Sequence, residues 1–179
     1  MSKVELSLQE ATLLANKVVR MLAPYCQQIE VAGSLRRQKS MVGDIELVCV
    51  PLFQADLFGN DGASMLTPYL ELLARDDELL KGDKWGPKYK KLHPPELPEL
   101  SIDLFVTTVE EWGYTFTIRT GSANFSHKLV TPRIHGGFLP GYLRVAECRL
   151  WENGKVLDTS TELKFLEALR VGWIEPRDR

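Results

Sequence analysis

Apolar residues recur at helical spacing near the start of the chain, which predicts an N-terminal helix. Between Ala11 and Leu22 they lie three or four positions apart, so they would share one face of a helix. Ser7 and Glu10 precede this run as a capping-box pair, in which each side chain bonds the other residue's backbone N–H. Pro24 stops the pattern. We therefore predict a helix that begins after Ser7 and ends before Pro24.

Runs of β-branched and apolar residues predict the strands of a sheet. IEVAG at 29–33, DIELVCV at 44–50 and SIDLFV at 101–106 each have the length and composition of a strand. The lysine-rich segment 79–92 is typical of two strands joined by a Gly/Pro turn. Residues 51–67 contain several turn-forming residues and predict a loop.

The rest of the chain combines helical patterns with one hairpin. Helices are predicted at 68–75, 109–113, 114–131 and 159–172. Gly121 interrupts the third of these patterns, and Gly172 ends the last. Asn153-Gly154 is a favoured two-residue turn, so we predict a hairpin over 145–158.

The composition is that of an ordinary globular protein. The chain has 179 residues and a mass of 20.3 kDa, with 44% apolar and 26% charged residues, which suits one domain or two small lobes. No apolar run approaches the roughly 20 residues of a membrane span, and the first residues lack the apolar segment of a signal peptide. We therefore expect a cytoplasmic protein that does not enter a membrane.

Cysteine and histidine form no recognisable metal-binding pattern. The three cysteines are far apart and include no CxxC pair, and the three histidines show no HExxH spacing. We predict reduced thiols and do not expect a zinc site.

Positive charge is gathered in two groups, although the net charge is −2. One group contains Arg36, Arg37 and Lys39, and the other contains the lysines between 81 and 91. Most such runs are solvated faces. The alternative is that they bind anions, and the motifs beside them bear on that choice.

Three acids lie in two of the predicted strands. Because side chains alternate between the two faces of a strand, Asp44 and Glu46 point the same way while Ile45 points toward the core. If the strand of Asp103 is adjacent, three carboxylates converge. Such oxygen ligands favour Mg²⁺ or Mn²⁺, and two ions held in this way would stabilise both reacting oxygens of a phosphoryl transfer. A solvent-exposed polar face is the alternative.

The segment before these acids contains the residue types of a phosphate site. Gly33 and Ser34 follow a strand, where glycine lets backbone N–H groups approach a phosphate and serine adds a donor. Arg36 and Arg37 carry planar guanidinium groups suited to phosphate oxygens, although one of them can pair with an acid in the fold instead. Gly43 then leads into the first acid. The sequence contains neither an NTPase P-loop nor a dinucleotide fingerprint.

The stretch VAGSLRRQKSMVGDIELVCV resembles the palm signature of family X DNA polymerases, the polymerase-beta-like branch of the nucleotidyltransferase superfamily. Further segments look like that family in the same order, namely KGDKWGPKYKKL, SIDLFVTTVEEWG, RTGSANFSHKL and WIEPRDR. The resemblance implies an α+β fold. A nucleotidyltransferase palm of mixed β-sheet with flanking helices would occupy 1–110, and a small C-terminal α/β lobe that selects the nucleotide would occupy 111–179.

The resemblance also implies roles for particular residues. The catalytic carboxylates, which would bind two Mg²⁺ or Mn²⁺ ions, are Asp44, Glu46 and Asp103. Of these, Asp103 would activate the primer 3′-hydroxyl. The nucleotide-binding residues would be Gly33, Ser34, Arg37 and Gly43 at the triphosphate, Gly121 and Ser122 at the sugar, and Phe125 and Ser126 near the base. The lysine-rich hairpin would contact the nucleic-acid backbone through Lys84, Lys88, Lys90 and Lys91.

The implied activity is transfer of dNMP from a dNTP to a nucleic-acid 3′-hydroxyl with release of pyrophosphate. The expected partners are the nucleoside triphosphate and a DNA primer/template or gapped DNA, as in DNA repair, and a monomer is expected. The chain has no room for the lyase domain of longer family members. It also departs from the family pattern, since Glu46 replaces the usual Asp, Ile118-Arg119 replaces frequent aromatic residues, and Ser126 replaces an Asn.

Two alternatives stay open at the level of the sequence. The first is a template-free enzyme, or one that transfers nucleotides to RNA or to a small molecule. The second is a non-catalytic nucleotide- or DNA-binding module with the same fold, since function depends on the site and not on the fold.

Overall fold

The computed structural model describes residues 4–55 and 61–179, with the side chains of 55 and 61 outside the description. In these residues the fold is mixed α+β, with six α-helices and a five-stranded mixed sheet. The helices are α1 Leu8–Leu22, α2 Gly33–Arg36, α3 Leu66–Arg75, α4 Trp112–Thr120, α5 Ala123–Val130 and α6 Glu162–Ala168. The strands are β1 Leu6–Ser7, β2 Cys26–Val31, β3 Met41–Val42, β4 Asp44–Pro51, β5 Phe53–Ala55, β6 Asp61–Ser64, β7 Leu80–Trp85, β8 Tyr89–His93, β9 Ser101–Val106, β10 Leu143–Ala146, β11 Arg149–Glu152 and β12 Lys155–Val156.

The main sheet has the strand order β2-β4-β9-β8-β7. Strands β4 and β9 are parallel, and the other neighbouring pairs are antiparallel. The parallel pair lies inside the sheet because β2 flanks it on one side and β8 on the other. Three predicted features are confirmed here, namely the buried strand that begins at Asp44, the strand at 101–106 and the lysine-rich hairpin formed by β7 and β8.

The two faces of this sheet pack against different partners. Ile45, Leu47 and Cys49 are buried in a core that also contains the apolar residues of α1 and α3. On the opposite face, Val48 and Phe105 pack with side chains of α4. The acids occupy the beginning of that second face, and the apolar residues follow them along the same strands.

Helix α1 confirms the prediction made from its spacing and its cap. The Ser7 side chain accepts a hydrogen bond from the Glu10 backbone N–H, and the Glu10 carboxylate accepts one from the Ser7 backbone N–H at 2.9 Å. A cap of this kind contributes about 1 kcal/mol. Ala15 and Leu22 are fully buried, and full burial of a leucine side chain contributes about 1.5–3 kcal/mol.

The C-terminal part of the chain has a hydrophobic core of its own. Phe165, Leu166 and Leu150 are fully buried in it, and every residue of this core lies at or after Tyr114. Helix α4 contributes to this core through Tyr114 and to the sheet's second face through Phe116. The two predicted lobes therefore meet along α4, while the division after residue 110 stays a prediction.

Three predictions about local structure need correction. The predicted loop 51–67 contains two short paired strands, β5 and β6, with Phe53 opposite Ser64, while residues 56–60 lie outside the described residues. The predicted hairpin with Asn153-Gly154 at its turn is confirmed by the pairing of β11 with β12, but its first part needs correction. Glu147 and Cys148 form a further turn with positive φ values of 53° and 57°, so the segment is a three-stranded sheet. The last helix ends at Ala168 instead of continuing to residue 172.

Two simpler predictions about the chain can be compared with the structure. Cys26, Cys49 and Cys148 are free cysteines, as expected from their spacing, and Cys49 is fully buried. None of the helices within residues 4–55 and 61–179 is both long and apolar enough to cross a membrane.

Candidate active site

The three acids lie on one face of the parallel strand pair. Glu46 is the register partner of Asp103, and Asp44 is the partner of Ser101. Asp44 precedes Glu46 by two positions, so strand alternation places both acids on the face that carries Asp103. The local reason is the burial of Ile45 on the other face, which fixes the orientation of the strand. The two strands are adjacent, which is the condition under which the three acids were expected to converge.

The carboxylate oxygens are nevertheless not gathered into a preformed ion site. Within the described residues, no group of three or more His, Cys, Asp or Glu side chains is arranged so that it could hold a metal ion. Two of the acids are instead directed toward other parts of the protein, Glu46 toward Gly33 and Asp103 toward Tyr89. The backbone thus places the three acids side by side, while their oxygens would have to turn to share an ion.

Gly33 is required by both its conformation and its neighbour. Its φ is +61°, in the left-handed region that favours glycine, and a Cβ atom there would collide with the Glu46 carboxylate. Ala32 donates its backbone N–H to the Glu46 carbonyl at 2.8 Å, which holds the turn against β4. The predicted phosphate-site glycine therefore lies directly beside one of the predicted metal ligands.

Asp103 accepts a hydrogen bond from a tyrosine that the sequence analysis did not select. The Tyr89 hydroxyl donates to Asp103 Oδ1 at 2.8 Å. Burial raises the pKa of Tyr89, and the hydrogen bond to Asp103 raises it further, so the phenol stays protonated and keeps donating. A hydrogen bond donated to a carboxylate favours its ionised form.

The acids repel one another enough to disturb the titration of Glu46. Burial raises the pKa of Glu46 to about 7, and the charge of Asp44 adds to this, while Arg119 opposes it and Asp103 adds again. Like charges at close range disfavour the ionised form unless a cation compensates them. In donor type and charge the trio therefore fits Mg²⁺ or Mn²⁺, which prefer oxygen ligands.

Arg37 and Ser34 offer polar atoms that the protein leaves without partners. The Ser34 Oγ and Arg37 Nε atoms are buried and have no hydrogen-bond partner among the described residues. Arg37 also donates from Nη1 to the Thr120 carbonyl, so its guanidinium is anchored at one corner. Buried polar groups are usually paired in native structures. These two unpaired donors next to Glu46 therefore fit a bound anion.

The neighbouring Arg36 has a structural role instead. Its guanidinium donates to both carboxylate oxygens of Glu162, at 3.0 and 2.7 Å, and to the Thr120 hydroxyl at 2.6 Å. It also lies 4.0 Å from the centre of the Phe116 ring. Burial alone would raise the pKa of Glu162, but hydrogen bonds from Arg36 and Arg179 lower it below its ordinary value. Of the two arginines, only Arg37 faces the predicted triphosphate site.

Two cavities meet at the acids. One of about 380 Å³ is lined by Arg37, Glu46, Arg119, Gly121 and Ser126, together with two further residues of the same segment. A second of about 490 Å³ has a longer lining that includes Glu46, Asp103, Lys84, Lys88, Tyr89, Phe105, Arg119 and Cys148. Both volumes lie in the range of ligand pockets. Glu46 and Arg119 line both cavities, Asp103 lines the larger one, and Arg37 and Gly121 line the smaller one, while Asp44 lines neither.

The segment predicted to hold the sugar and base is placed in part at the first cavity. Gly121 ends α4 with a φ of 71°, and a Cβ atom there would lie 2.8 Å from Arg37 Nη1. Ser122 caps α5 by accepting from the Phe125 backbone N–H. Phe125 is buried in the C-terminal core and does not line either cavity. Ser126 lines the smaller cavity and donates its hydroxyl to the Ile118 carbonyl at 2.7 Å.

Gly43, the fourth residue predicted to bind the triphosphate, lies outside the two cavities. It lies between β3 and β4 and immediately precedes Asp44. No cavity lining described above includes it.

The four predicted nucleic-acid lysines fall into two groups. Lys84 and Lys88 line the larger cavity, and Lys91 is the register partner of Asp103. Lys90 is buried, and its Nζ donates to the Gly86 carbonyl at 2.8 Å. Because neighbouring residues on β8 point to opposite faces, Lys90 is directed away from the acid face, and its charge is not presented to solvent.

Sequence reasoning missed Arg119, the cation that borders both cavities. Its guanidinium lies 3.9 Å from the centre of the Phe105 ring, and its charge acts on Glu46. A signal for it was present, because Arg119 is one of the two residues that depart from the family pattern before Thr120. Tyr89 could be found only once β8 was known to pair with β9.

Comparison with known proteins leaves this site to be interpreted from its own geometry. No protein-family model matches the chain, and no curated protein shows a significant match. The paired acids, the two unpaired donors and the cavities between them are therefore the features that indicate a function.

Proposed function

We propose that this protein is a metal-dependent nucleotidyltransferase of the polymerase-beta-like kind. In this proposal it transfers dNMP from a dNTP to a nucleic-acid 3′-hydroxyl and releases pyrophosphate, and the five-stranded sheet is its palm. The observation that carries the proposal is the register of β4 and β9, which sets Glu46 beside Asp103 with Asp44 on the same face. That face borders cavities that also expose Arg37 and Lys88.

The acids would hold two Mg²⁺ or Mn²⁺ ions, which supply charge compensation for the attacking and leaving oxygens when bound. The protein's own contribution is to position and orient. Asp103 would take up the proton of the 3′-hydroxyl, and its hydrogen bond from Tyr89 keeps the carboxylate oriented beforehand. Asp44 and Glu46 would concentrate negative charge on the neighbouring strand, where a cation is needed.

Arg37 and Ser34 would bind the triphosphate. The buried Arg37 Nε and Ser34 Oγ atoms have no partner within residues 4–55 and 61–179, so an anionic ligand would satisfy donors that are otherwise costly to bury. The anchor to the Thr120 carbonyl holds the guanidinium against the Gly121 turn, which would lie at the sugar. Electrostatic positioning of this type is most of what phosphoryl transfer requires from a protein.

Lys84 and Lys88 would contact the nucleic-acid backbone at the rim of the larger cavity. Lys88 pairs with Glu111 at 3.4 Å, and its side chain is 68% exposed, so it can exchange that partner for a phosphate. Contacts to phosphates carry no sequence information, so the enzyme would bind different primer sequences alike.

Asp103→Asn tests the proposal most directly. The amide keeps the size of the side chain but cannot accept a proton, so extension of a labelled primer with dNTP and Mg²⁺ should fall at least about a hundredfold. Asp77→Asn, in the exposed turn after α3 and outside both cavities, is the matched control and should retain activity. Unchanged turnover in Asp103→Asn, with the fold intact by circular dichroism, would refute the catalytic role.

A non-catalytic nucleotide-binding module is the second candidate, because the carboxylate oxygens of the described residues are not gathered. Titration calorimetry of Mg-dNTP with the wild type and with Asp44→Asn separates the two. An enzyme should need Asp44 for metal-linked binding and extend a primer, whereas a binding module would take up the nucleotide with no extension of any primer, single strand or RNA end.

A further inference from the structure

The C-terminal lobe carries an exposed patch that combines positive charge with apolar and aromatic side chains. Ile134 is 87% exposed and Tyr142 is 46% exposed. Arg133 and His135 flank Ile134 in one short turn, and the Arg170 guanidinium lies 5.5 Å from the centre of the Tyr142 ring. We call these five residues the C-terminal patch. None of them lines the two cavities at the acids.

The turn that carries Ile134 is fixed to the body of the lobe. The Arg133 backbone N–H donates to the Leu139 carbonyl at 2.9 Å, and its guanidinium donates to the carbonyls of Phe138 at 3.2 Å and Leu169 at 3.0 Å. The last bond ties the turn to the residue before Arg170. The hydrogen bonds of Arg133 therefore fix the turn to the lobe, and they keep the Ile134 side chain exposed to solvent.

The charge around this patch favours an anionic partner. From Trp112 to Ala146 the sequence contains no Asp or Glu, and its cations outside the two cavities are Lys128, Arg133 and Arg144. The exposed acid near the patch is Glu167, three residues before Arg170. The chain as a whole has a net charge of −2, so the positive charge is concentrated locally. Acidic surfaces of proteins would match the charge but would not explain the aromatic ring. Exposed rings among cations are typical of surfaces that bind single-stranded nucleic acid, where bases stack on the rings and phosphates meet the cations.

The patch follows the proposed site along the chain. Ser126 on α5 lines the smaller cavity, and α5 rises about 6 Å from there to its end at Val130. The turn of Arg133 begins three residues after Val130. A single strand that leaves the acceptor end along α5 would therefore meet this turn.

We propose that the C-terminal patch binds single-stranded nucleic acid that extends beyond the acceptor end. Tyr142 stacks on an unpaired base, Ile134 packs against a neighbouring base, and Arg170 and His135 face the backbone. The inference rests on the proposed function for the identity of the acceptor. It adds a contact surface separate from the lysine-rich hairpin, and it makes the single-stranded overhang part of what the protein selects.

Fluorescence anisotropy with labelled oligothymidylate tests the patch without any reaction. Tyr142→Ala should weaken binding by about fivefold to a hundredfold, because one base-stacking contact is lost. Tyr142→Phe keeps the ring and should bind like the wild type, and Ile134→Ala should weaken binding as well. Leu13→Ala is the matched control, since Leu13 is an exposed apolar residue on α1, at 64% exposure, away from the patch. Arg170→Gln should reduce the slope of log affinity against log salt by about one.

Primer/template duplexes with overhangs of different length test the position of the patch. Affinity of the wild type should rise as the overhang lengthens until it reaches the patch, and Tyr142→Ala should remove that rise while binding blunt duplex normally. Equal affinity of the wild type and Tyr142→Ala for single strands would overturn the inference. So would a patch that mediates self-association, seen as a dimer that Ile134→Ala dissolves with no change in DNA binding.

These outcomes are distinguishable from those of the proposed function. Binding of oligothymidylate should be the same in the wild type and in Asp103→Asn, because the patch does not use the acids. If primer extension needs Asp103 but single strands bind Tyr142→Ala normally, the patch fails and the enzyme stands. If the wild type binds single strands through Tyr142 but extends no primer, the patch stands and the proposed function fails.

Discussion

The close contact between Gly33 and Glu46 sets the position of the predicted phosphate site relative to the acids. The longer side chain of a glutamate can reach over the turn, and the absent side chain at Gly33 leaves the space for it. An aspartate at position 46 would end one methylene earlier, which changes where the carboxylate lies relative to Asp103. The glutamate at position 46 and the glycine at position 33 are therefore matched to each other in this structure.

Substitution of Arg37 should affect nucleotide binding, whereas substitution of Arg36 should affect stability. Arg37→Ala removes a charge-assisted contact to the triphosphate, worth about 1.5–3 kcal/mol, so the Kd for Mg-dNTP should rise by roughly tenfold to a hundredfold. Primer affinity should change much less. Titration calorimetry with Mg-dNTP and anisotropy with primer DNA measure the two effects.

Arg36→Ala is the comparison within the same turn. It leaves the buried Glu162 without one of its partners, so it should lower the midpoint of urea unfolding more than Arg37→Ala does. If Arg37→Ala weakened primer binding more than triphosphate binding, Arg37 would be assigned to the fold or to the nucleic acid instead.

At the scale of elements, strand β8 divides its charged and aromatic residues between two environments. Tyr89 and Lys91 are directed to the acid face, where Tyr89 bonds Asp103. Lys90 points to the other side and is buried against Trp85, with its Nζ 5.3 Å from the ring centre. Burial lowers the pKa of Lys90 from its ordinary value. Of the two adjacent lysines of β8, Lys90 is therefore a structural residue and does not present its charge to a ligand.

Removing charge from this hairpin should have position-dependent effects. The double variant Lys84→Ala, Lys88→Ala should weaken DNA binding and reduce its salt slope by about two, if each lysine contacts one phosphate. Lys90→Met keeps the length of the side chain without the charge, and it should leave the salt slope unchanged. Anisotropy titrations at several salt concentrations measure both. The same slope in the double variant and the wild type would mean that Lys84 and Lys88 are only solvated.

Strand alternation explains both the success and the limits of prediction from this sequence. It was sufficient to place Asp44 and Glu46 on one face and Ile45 in the core, because the period of a strand is fixed. It could not show that β4 pairs with β9, or that Tyr89 reaches Asp103, since pairing partners are set by the whole fold. The strands β5 and β6 were missed because turn-forming residues dominate 51–67 and no alternation marks the pairing. The same alternation also places Lys90 on the face opposite to Tyr89 and Lys91, and this face is the buried one.

At the scale of the whole molecule, Glu162 connects three distant parts of the chain. It accepts hydrogen bonds from Arg36 in α2 and from Arg179, whose Nη1 lies 2.7 Å from Oε1. The side chains of Glu162 and Arg179 are 7% and 0% exposed. The buried Glu162 carboxylate is compensated only while both Arg36 and Arg179 bind it. The network therefore holds α6 and the C-terminal segment against the turn that carries Arg37.

Glu162→Gln should therefore destabilise the protein strongly. The buried guanidinium of Arg179 and the partly buried guanidinium of Arg36 would lose their countercharge, and breaking a buried ion pair in this way costs about 3–5 kcal/mol. Urea unfolding followed by circular dichroism measures the loss. Asp158→Asn, which breaks the exposed pair with Lys164, is the control and should leave the unfolding midpoint unchanged. Equal midpoints for the two variants would show that the network does not hold the lobes together.

The parallel pairing of β4 with β9 also determines when the three acids can be brought together during synthesis of the chain. Glu46 and Asp103 are register partners, yet two antiparallel strand pairs and a helix are made between them on the ribosome. Contacts so distant in sequence form late and slowly. A nascent chain that has not yet released β9 therefore carries Asp44 and Glu46 but lacks Asp103, however complete its first helix and strands already are.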